Sequence, residues 1–196
     1  MGDLFSHYFL YKTFFVRITY EKYIDFSPLI AYNVGTTKRK ENIKMYTIYF
    51  DMDGTIADLY GVNNWLPKLR AEDATPYAEA APLVDTNEIS ELLAELQHIG
   101  YTLGIISWTS KGGSTSYNKK VRQAKLEWLV GCFPEIEFDE IHIVKYGTRK
   151  DYVAKDKYGI IFDDDERVRE KWRGEAINPN TDDIIETLKH IIELSE

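Results

Sequence analysis

The stretch that decides the fold lies at residues 46–55, which read YTIYFDMDGT. Its first five residues are aromatic, β-branched or apolar, as in a short strand buried in a parallel sheet. Asp51 and Asp53 follow at once, and Gly54 then allows the chain to turn sharply. Because chemistry in parallel α/β sheets collects beyond the carboxyl ends of the strands, this aspartate pair marks a candidate active site.

Strand-like and helix-like segments alternate after this stretch. Apolar runs predict three further strands, at 101–106, 141–144 and 159–162. Apolar residues at helical spacing predict helices over 85–100 and 118–130, and a last helix capped at Thr181. This alternation predicts an α/β fold, a three-layer Rossmann-like parallel sheet with helices on both faces.

The first 44 residues differ in composition from the remainder. They contain ten aromatic residues and carry seven Lys/Arg against four Asp/Glu, whereas the whole chain has a net charge of −8. We therefore predict an N-terminal aromatic and basic extension over 1–44 and a separate domain over 45–196. Either Met45 starts the functional unit, or the extension packs on the domain or on a partner. Residues 56–85 leave room for a few short helical turns, which predicts a minimal helical cap insert.

Charge and cysteine content limit the function classes. The net charge of −8 argues against a protein that tracks along nucleic acid by neutralising phosphates. The single cysteine, Cys132, excludes an internal disulfide framework and a multi-cysteine zinc site, and it indicates a cytoplasmic location. We expect its side chain to be a small buried apolar group. Lys12 and Arg17 interrupt the most apolar N-terminal stretch, so we expect no membrane span. None of the four histidines has a sequence context that indicates catalysis or metal binding.

Each of the four predicted strands leads into residues suited to phosphoryl chemistry. In chain order these are Asp51, Asp53, Ser107, Trp108, Lys150, Asp163 and Asp164. A carboxylate that attacks a phosphate ester is repelled by it, so a divalent cation is needed between the two anions. Mg²⁺ prefers oxygen ligands and therefore suits a site built from carboxylates. The strand ends together predict a magnesium-dependent phosphoryl-transfer site.

The residue types also predict individual roles. Asp51 would attack phosphorus, and Asp53 could protonate the leaving oxygen and later deprotonate the attacking water. Ser107 and the backbone amides near it, including that of Trp108, can donate hydrogen bonds to the phosphoryl oxygens.

The third and fourth strand ends supply charge. Lys150 can neutralise the phosphate and the nucleophile together, although Lys145 or Lys155 could take this role. Asp163 and Asp164 would complete the metal site. The third acid of that run, Asp165, is expected to cap the helix that follows it.

The ordered set resembles the four signatures of the haloacid dehalogenase (HAD) superfamily over most of residues 46–165. The strand with the DxDGT sequence is similar to the first signature, and Ser107, Lys150 and the Asp163–Asp164 pair are similar to the other three. This resemblance implies that Asp51 is the nucleophile and Asp53 the general acid and base. It implies that magnesium is bound by Asp51, Asp163, the backbone carbonyl of Asp53 and, directly or through water, Asp164. It also implies phosphate ester hydrolysis, because the dehalogenases of the superfamily lack the second acid.

The segments 107–128, 148–151 and 163–172 are similar to the phosphatase half of phage polynucleotide kinase–phosphatases, and small deoxyribonucleotidases share a comparable frame. We predict a phosphomonoesterase that forms an aspartyl-phosphate and acts on a small phosphorylated metabolite or a nucleotide. The alternatives are a 3′-phosphatase that processes nucleic-acid ends, and a catalytically silent phosphate-binding protein. Tyr60 or Trp65 could stack on a base or pack the insert onto the domain. A nucleotide contact or a solvated surface would equally explain the basic residues Lys111, Lys119, Lys120 and Arg122.

Overall fold

The computed structural model describes residues 46–195, so the predicted extension over 1–44 and the proposed start at Met45 lie outside the described residues. The strands of the described part are β1 Thr47–Phe50, β2 Ala57–Asp58, β3 Ala81–Pro82, β4 Thr102–Trp108, β5 Glu140–Val144, β6 Ile160–Phe162 and β7 Ala176–Ile177. Its helices are α1 Trp65–Arg70, α2 Thr75–Glu79, α3 Thr86–Ile99, α4 Thr115–Cys132, α5 Lys150–Val153, α6 Glu166–Arg169 and α7 Ile184–Ser195.

Five strands form one parallel sheet in the order β5–β4–β1–β6–β7, which confirms the predicted α/β architecture. At the end of the central strand, Phe50 pairs with Ile105 of β4 and with Phe162 of β6. The chain proceeds from β1 outwards to β4 and β5, then returns to place β6 and β7 on the other side. Such a reversal leaves a crevice beyond the carboxyl end of the central strand, where ligands bind in folds of this type.

Alternate residues of the central strand face two apolar layers. Ile48 joins the core cluster under α3 and α7, to which those helices contribute the buried side chains of Leu93 and Leu188. Tyr49 points to the opposite face, where it joins the cluster that contains Val168 of α6. Because side chains of a strand alternate between faces, both sides of the sheet are covered, and the predicted three-layer arrangement is confirmed.

Helix α3 begins and ends as its sequence predicts. The Asp85 carboxylate accepts hydrogen bonds from the amides of Asn87 and Glu88, at 2.9 and 3.1 Å. Gly100 ends the helix with a φ of +107°, a left-handed conformation that glycine adopts without steric cost. Helix α4 is longer than its predicted range of 118–130 because Ser114 caps it and Thr115 is its first residue.

The predicted cap of the last helix is wrong. Helix α7 begins at Ile184, and the Asp183 carboxylate accepts a hydrogen bond from the Glu186 amide at 3.0 Å. The Thr181 hydroxyl instead donates to the Asp182 carboxylate at 2.7 Å. Both residue types are common helix caps, so local hydrogen bonding decides between them.

Strand β4 also extends beyond its predicted end at residue 106. Ser107 and Trp108 are its last two residues, and they pair with Ile143 and Val144 of β5. They therefore lie at the carboxyl end of the strand itself and not in the loop that follows. Cys132, predicted to be buried, is half-buried against the main core.

The cap insert consists of the short antiparallel pair β2–β3 and of helices α1 and α2. It packs on α4, where Tyr77 of the insert joins Tyr117 and Val121 in a buried cluster. The Trp128 indole N–H donates to the Ala80 carbonyl at 2.7 Å and fixes the end of the insert. Within residues 46–195, none of the helices combines the length and the hydropathy that a membrane span requires.

Candidate active site

The carboxyl ends of β1 and β6 bring three aspartates together. Asp51 follows β1, whereas Asp163 and Asp164 follow β6, and one carboxylate oxygen of each lies within 4.8 Å of the others. Asp51 and Asp163 are buried, and Asp164 is partly exposed. The structure thus places in one cluster the three side chains to which the sequence assigns metal binding.

The charged side chains around this cluster fit a divalent cation. The charged groups that meet here are Asp51, Asp53, Asp163, Asp164, Lys125 and Lys150. When all are ionised, the four carboxylates exceed the two ammonium groups by two negative charges, which one divalent cation would balance. Burial raises the pKa of Asp163 to about 7, with Lys150 opposing the shift and Asp51 adding to it. Burial, together with the charge of Asp51, raises the pKa of Asp164 to about 6. Excess negative charge of this kind is what a bound cation relieves.

Lys150, the first residue of α5, is the cation beside Asp51. Its Nζ lies 2.8 Å from Oδ1 of Asp51 and 2.7 Å from Oδ2 of Asp163. Burial alone would lower the pKa of Lys150, but the charges of the two aspartates outweigh burial and raise it. The two alternatives, Lys145 and Lys155, are both exposed. Of the three lysines considered from the sequence, the structure therefore brings Lys150 to the carboxylates.

A second buried lysine, Lys125 of α4, was missed by the sequence analysis. Its Nζ donates to Oδ2 of Asp53 at 2.7 Å and to Oγ of Ser107 at 2.8 Å. Burial raises the pKa of Asp53, Lys125 opposes that shift, and Asp51 adds to it. Ser107 is fully buried at the end of β4. Lys125 therefore links the end of β4 to the loop after β1, which contains Asp53.

The small residues of the DxDGT sequence have specific structural roles. Gly54 has a φ of +79°, and a Cβ atom there would lie 2.6 Å from Oδ2 of Asp164 and 2.8 Å from Cε2 of Tyr60. Only glycine fits this turn without displacing a carboxylate of the cluster. The Thr55 hydroxyl accepts a hydrogen bond from the Asp164 amide at 3.2 Å. This bond ties the loop after β1 to the loop after β6.

Trp108 and Asp165 border the site without joining the carboxylate cluster. The Trp108 indole N–H donates to the Thr148 carbonyl at 2.8 Å, and its ring centroid lies 5.2 Å from Lys150 Nζ. The indole N–H is therefore already bonded within the protein. The Asp165 carboxylate accepts from the Arg167 amide at 2.9 Å, which confirms that Asp165 caps the next helix.

The site opens into a cavity of about 490 Å³ between the insert and the carboxyl end of the sheet. Tyr60 and Trp65 of the insert line one side and meet edge to face with centroids 5.1 Å apart. Trp108 and Tyr146 line it from the sheet side, with centroids 4.9 Å apart. The cationic residues on its walls are Arg70, Lys111 and Arg167. No histidine of residues 46–195 lines this cavity.

No protein-family model matches this sequence, and no curated protein matches it. Among solved structures, the chain is similar to a chain of the Pnkp1/Rnl/Hen1 RNA repair complex, with a TM-score of 0.44 and 16% identity over 72% of this chain and 45% of that one. A chain of a second Pnkp1/Rnl/Hen1 complex gives a TM-score of 0.42 and 16% identity over 72% and 48% of the two chains. The protein thus spans less than half the length of these chains.

Proposed function

We propose that this chain is a magnesium-dependent phosphomonoesterase of the haloacid dehalogenase type, which transfers the phosphoryl group of its substrate to Asp51. The proposal rests on one observation, the separation of the carboxylates into two groups. Asp51 lies with Asp163 and Asp164 in a cluster that can bind a cation, whereas the Asp53 side chain pairs with Lys125. A nucleophile beside a cation and a separate proton donor are the two functions that this chemistry requires.

In the proposed first step, the Asp51 carboxylate attacks phosphorus and the bond to the ester oxygen breaks. Asp53 gives its proton to that oxygen, so the leaving group departs as a neutral alcohol. The raised pKa of Asp53 supports this role, because a buried carboxyl group retains its proton at higher pH.

In the second step, a water molecule attacks the phosphorus of the aspartyl-phosphate. Asp53 takes a proton from this water, and the bond between phosphorus and Asp51 breaks to release inorganic phosphate. Asp53 is thereby protonated again and Asp51 is again a free carboxylate, so the cycle closes.

The remaining residues bind charge. The side chains of Asp51, Asp163 and Asp164 and the carbonyl of Asp53 would bind Mg²⁺, which when bound neutralises charge between the phosphate and the nucleophile. Lys150 contacts Asp51 and Asp163 and would stabilise the same negative charge from the other side. We further propose that Ser107 and the backbone amide of Trp108 hydrogen-bond the phosphoryl oxygens.

The cavity supports a small substrate. Its volume of about 490 Å³ lies in the range of small-molecule pockets, roughly 300–1,000 Å³. The aromatic side chains of Tyr60 and Trp65 face it with the exposed cations of Arg70 and Lys111. This lining supports a phosphorylated metabolite or a nucleotide, in which one part is planar or apolar and another is anionic.

A second candidate is a 3′-phosphatase that acts on nucleic-acid ends. A smaller cleft of about 160 Å³ beside Lys150 is lined by Arg149, Arg167 and Lys171, which could contact a neighbouring phosphate. Two of these cations are already paired, Arg149 with Asp151 and Arg167 with Asp165. Their pairing reduces the charge available to a polyanion, so a small substrate remains the first proposal.

Phosphate release from a panel of esters tests the proposed function. The panel contains nucleoside 5′- and 3′-monophosphates, sugar phosphates and a 3′-phosphorylated oligonucleotide, each with Mg²⁺ and with chelator. We expect Mg²⁺-dependent release that is lost in Asp51→Asn. A preference for the oligonucleotide, with a rate that falls steeply as salt rises, would favour the end-processing candidate. If the folded protein hydrolyses no ester in Mg²⁺, the catalytically silent phosphate-binding alternative replaces the proposal.

A further inference from the structure

We propose that Lys125 is a positioning residue that orients Asp53 for proton transfer and keeps its carboxylate out of the metal cluster. This inference rests on the proposed function, because it takes Asp53 to be the proton donor. Lys125 reaches the site from α4, which packs against the cap insert, whereas Lys150 reaches it from the opposite side of β1.

The surroundings of Lys125 suit an ammonium group with a fixed direction. The side chain is about 1% exposed, and burial of an unpaired charge is strongly unfavourable. An ammonium group has three N–H bonds to place. Two are directed to the carboxylate of Asp53 and the hydroxyl of Ser107, and Nζ lies 5.1 Å from the ring centroid of Tyr77, within the range of a cation–π contact. These contacts determine where the Asp53 carboxylate lies.

The two lysines divide the carboxylates between them. Lys150 contacts Asp51 and Asp163, which belong to the metal cluster. Lys125 contacts Asp53, whose side chain does not belong to the cluster of Asp51, Asp163 and Asp164. Asp53 is only two residues from Asp51, so a bound cation would attract its carboxylate as well. The ion pair with Lys125 opposes this attraction and leaves Asp53 free to exchange a proton with the substrate.

The leaving group of the substrate separates a positioning role from a merely structural one. An alkyl phosphate needs a proton on its leaving oxygen, whereas p-nitrophenolate is stable enough to depart without one. Removal of a general acid should therefore slow phosphoryl transfer to Asp51 much more from glycerol phosphate than from p-nitrophenyl phosphate. Damage to the fold would slow both reactions by the same factor.

The experiment compares kcat/KM of the wild type and Lys125→Met on these two esters in Mg²⁺. This parameter reports the phosphorylation of Asp51 and excludes the later hydrolysis of the aspartyl-phosphate, a step that the two esters share. We expect Lys125→Met to lose about 100-fold on glycerol phosphate, the lower end of the contribution of general acid–base catalysis, and clearly less on the aryl ester. Gln123→Met places the same side chain at an exposed position of α4 and should leave both rates unchanged. Lys125→Arg, which retains the charge, should recover part of the loss.

Two further measurements complete the test. Asp53→Asn should show the same dependence on the leaving group, and the double variant should lose no more than Asp53→Asn alone, because the two residues act as one unit. The Mg²⁺ concentration for half-maximal hydrolysis of the aryl ester should fall in Lys125→Met, because the released carboxylate can reach the cation.

The possible outcomes separate this inference from the proposed function. If the wild type hydrolyses neither ester in Mg²⁺, the proposed function itself fails. If the wild type is active but Lys125→Met loses equally on both esters, or if its loss adds to that of Asp53→Asn, the positioning role is wrong. An unchanged or higher Mg²⁺ requirement would contradict the separation from the metal cluster. Should Lys125→Met not fold, the same comparison with Lys125→Arg applies, and equal losses on the two esters would again overturn the inference.

Discussion

Replacement of Lys150 by methionine should destabilise the protein strongly in chelator and much less in Mg²⁺. The substitution removes a buried ammonium group that lies 2.8 Å from Asp51 and 2.7 Å from Asp163, and leaves those two carboxylates without a cation. Loss of one partner from a buried ion pair costs roughly 3–5 kcal/mol. Each kcal/mol lowers the Tm of a domain of this size by roughly 2–4 °C, so the expected decrease in chelator is roughly 6–20 °C.

Magnesium should restore most of this loss. A cation bound between the carboxylates replaces the missing positive charge, and a ligand at a hundredfold excess over its Kd stabilises the folded state by about 2.7 kcal/mol. The variant should gain more from Mg²⁺ than the wild type does, because its cluster carries one more uncompensated negative charge.

Thermal unfolding followed by circular dichroism, in chelator and at saturating Mg²⁺, measures both effects. Lys145→Met is the matched control, because it makes the same replacement at an exposed lysine five residues earlier. Equal Tm values for Lys150→Met and Lys145→Met in chelator would refute the assignment of Lys150 to the carboxylates. A large loss that Mg²⁺ does not reduce would refute the assignment of the cluster to a cation.

Three further changes test other parts of the site. Gly54→Ala should abolish Mg²⁺-dependent phosphate release. Residue 54 has a φ of +79°, and the added Cβ would lie 2.6 Å from the Asp164 carboxylate, so the loop would have to move. Activity near that of the wild type would be inconsistent with this packing. Mg²⁺ affinity, measured by titration calorimetry, should fall as the pH drops through about 7 and about 6, because Asp163 and Asp164 must lose their protons to bind the cation. The same raised pKa of Asp163 means that the folded protein binds a proton more tightly than the unfolded chain does. The protein in chelator should therefore lose stability as the pH rises from about 4 to about 7. A Mg²⁺ affinity and a Tm in chelator that are both independent of pH would contradict these two expectations. Trp65→Leu should raise KM for esters with an aromatic alcohol and leave kcat unchanged in steady-state kinetics, whereas an unchanged KM would remove Trp65 from the substrate wall.

Four of the five strands of the sheet, and the carboxyl ends of three of those four, could be predicted from the sequence because each depends on a local pattern, whereas the two-residue strand β7 was not predicted. The apolar run 46–50 is short and is followed directly by Asp51. Its strand character and the position of Asp51 at its end therefore both follow from residues that are neighbours in the chain. The same holds for the pair Asp163–Asp164 after β6. Once strands are parallel, their carboxyl ends lie at one edge of the sheet. The pairing of β1 with β6, which the sequence does not specify, then brings these aspartates together.

The contacts of the two lysines depend on distant residues and could not be predicted in the same way. Lys125 bonds Asp53, which lies 72 positions earlier, and its one local signal is a charge within the apolar stripe of α4, near Val121 and Trp128. Among the lysines of 145–155, the residue that reaches the site depends on where α5 begins. That start is determined by the turn after β5, which sequence periodicity does not specify.

In the proposed mechanism, Asp51 carries the phosphoryl group during turnover. The most direct test of this role is acid quenching of the Asp53→Asn variant after it is mixed with p-nitrophenyl phosphate labelled at phosphorus, in Mg²⁺. This ester can phosphorylate Asp51 without a proton donor, and loss of the base should delay hydrolysis of the intermediate. We predict label bound to the protein, released by hydroxylamine, mapped to Asp51, and absent after the Asp51→Asn substitution. Label at another residue, or turnover at the wild-type rate by Asp51→Asn, would contradict the mechanism.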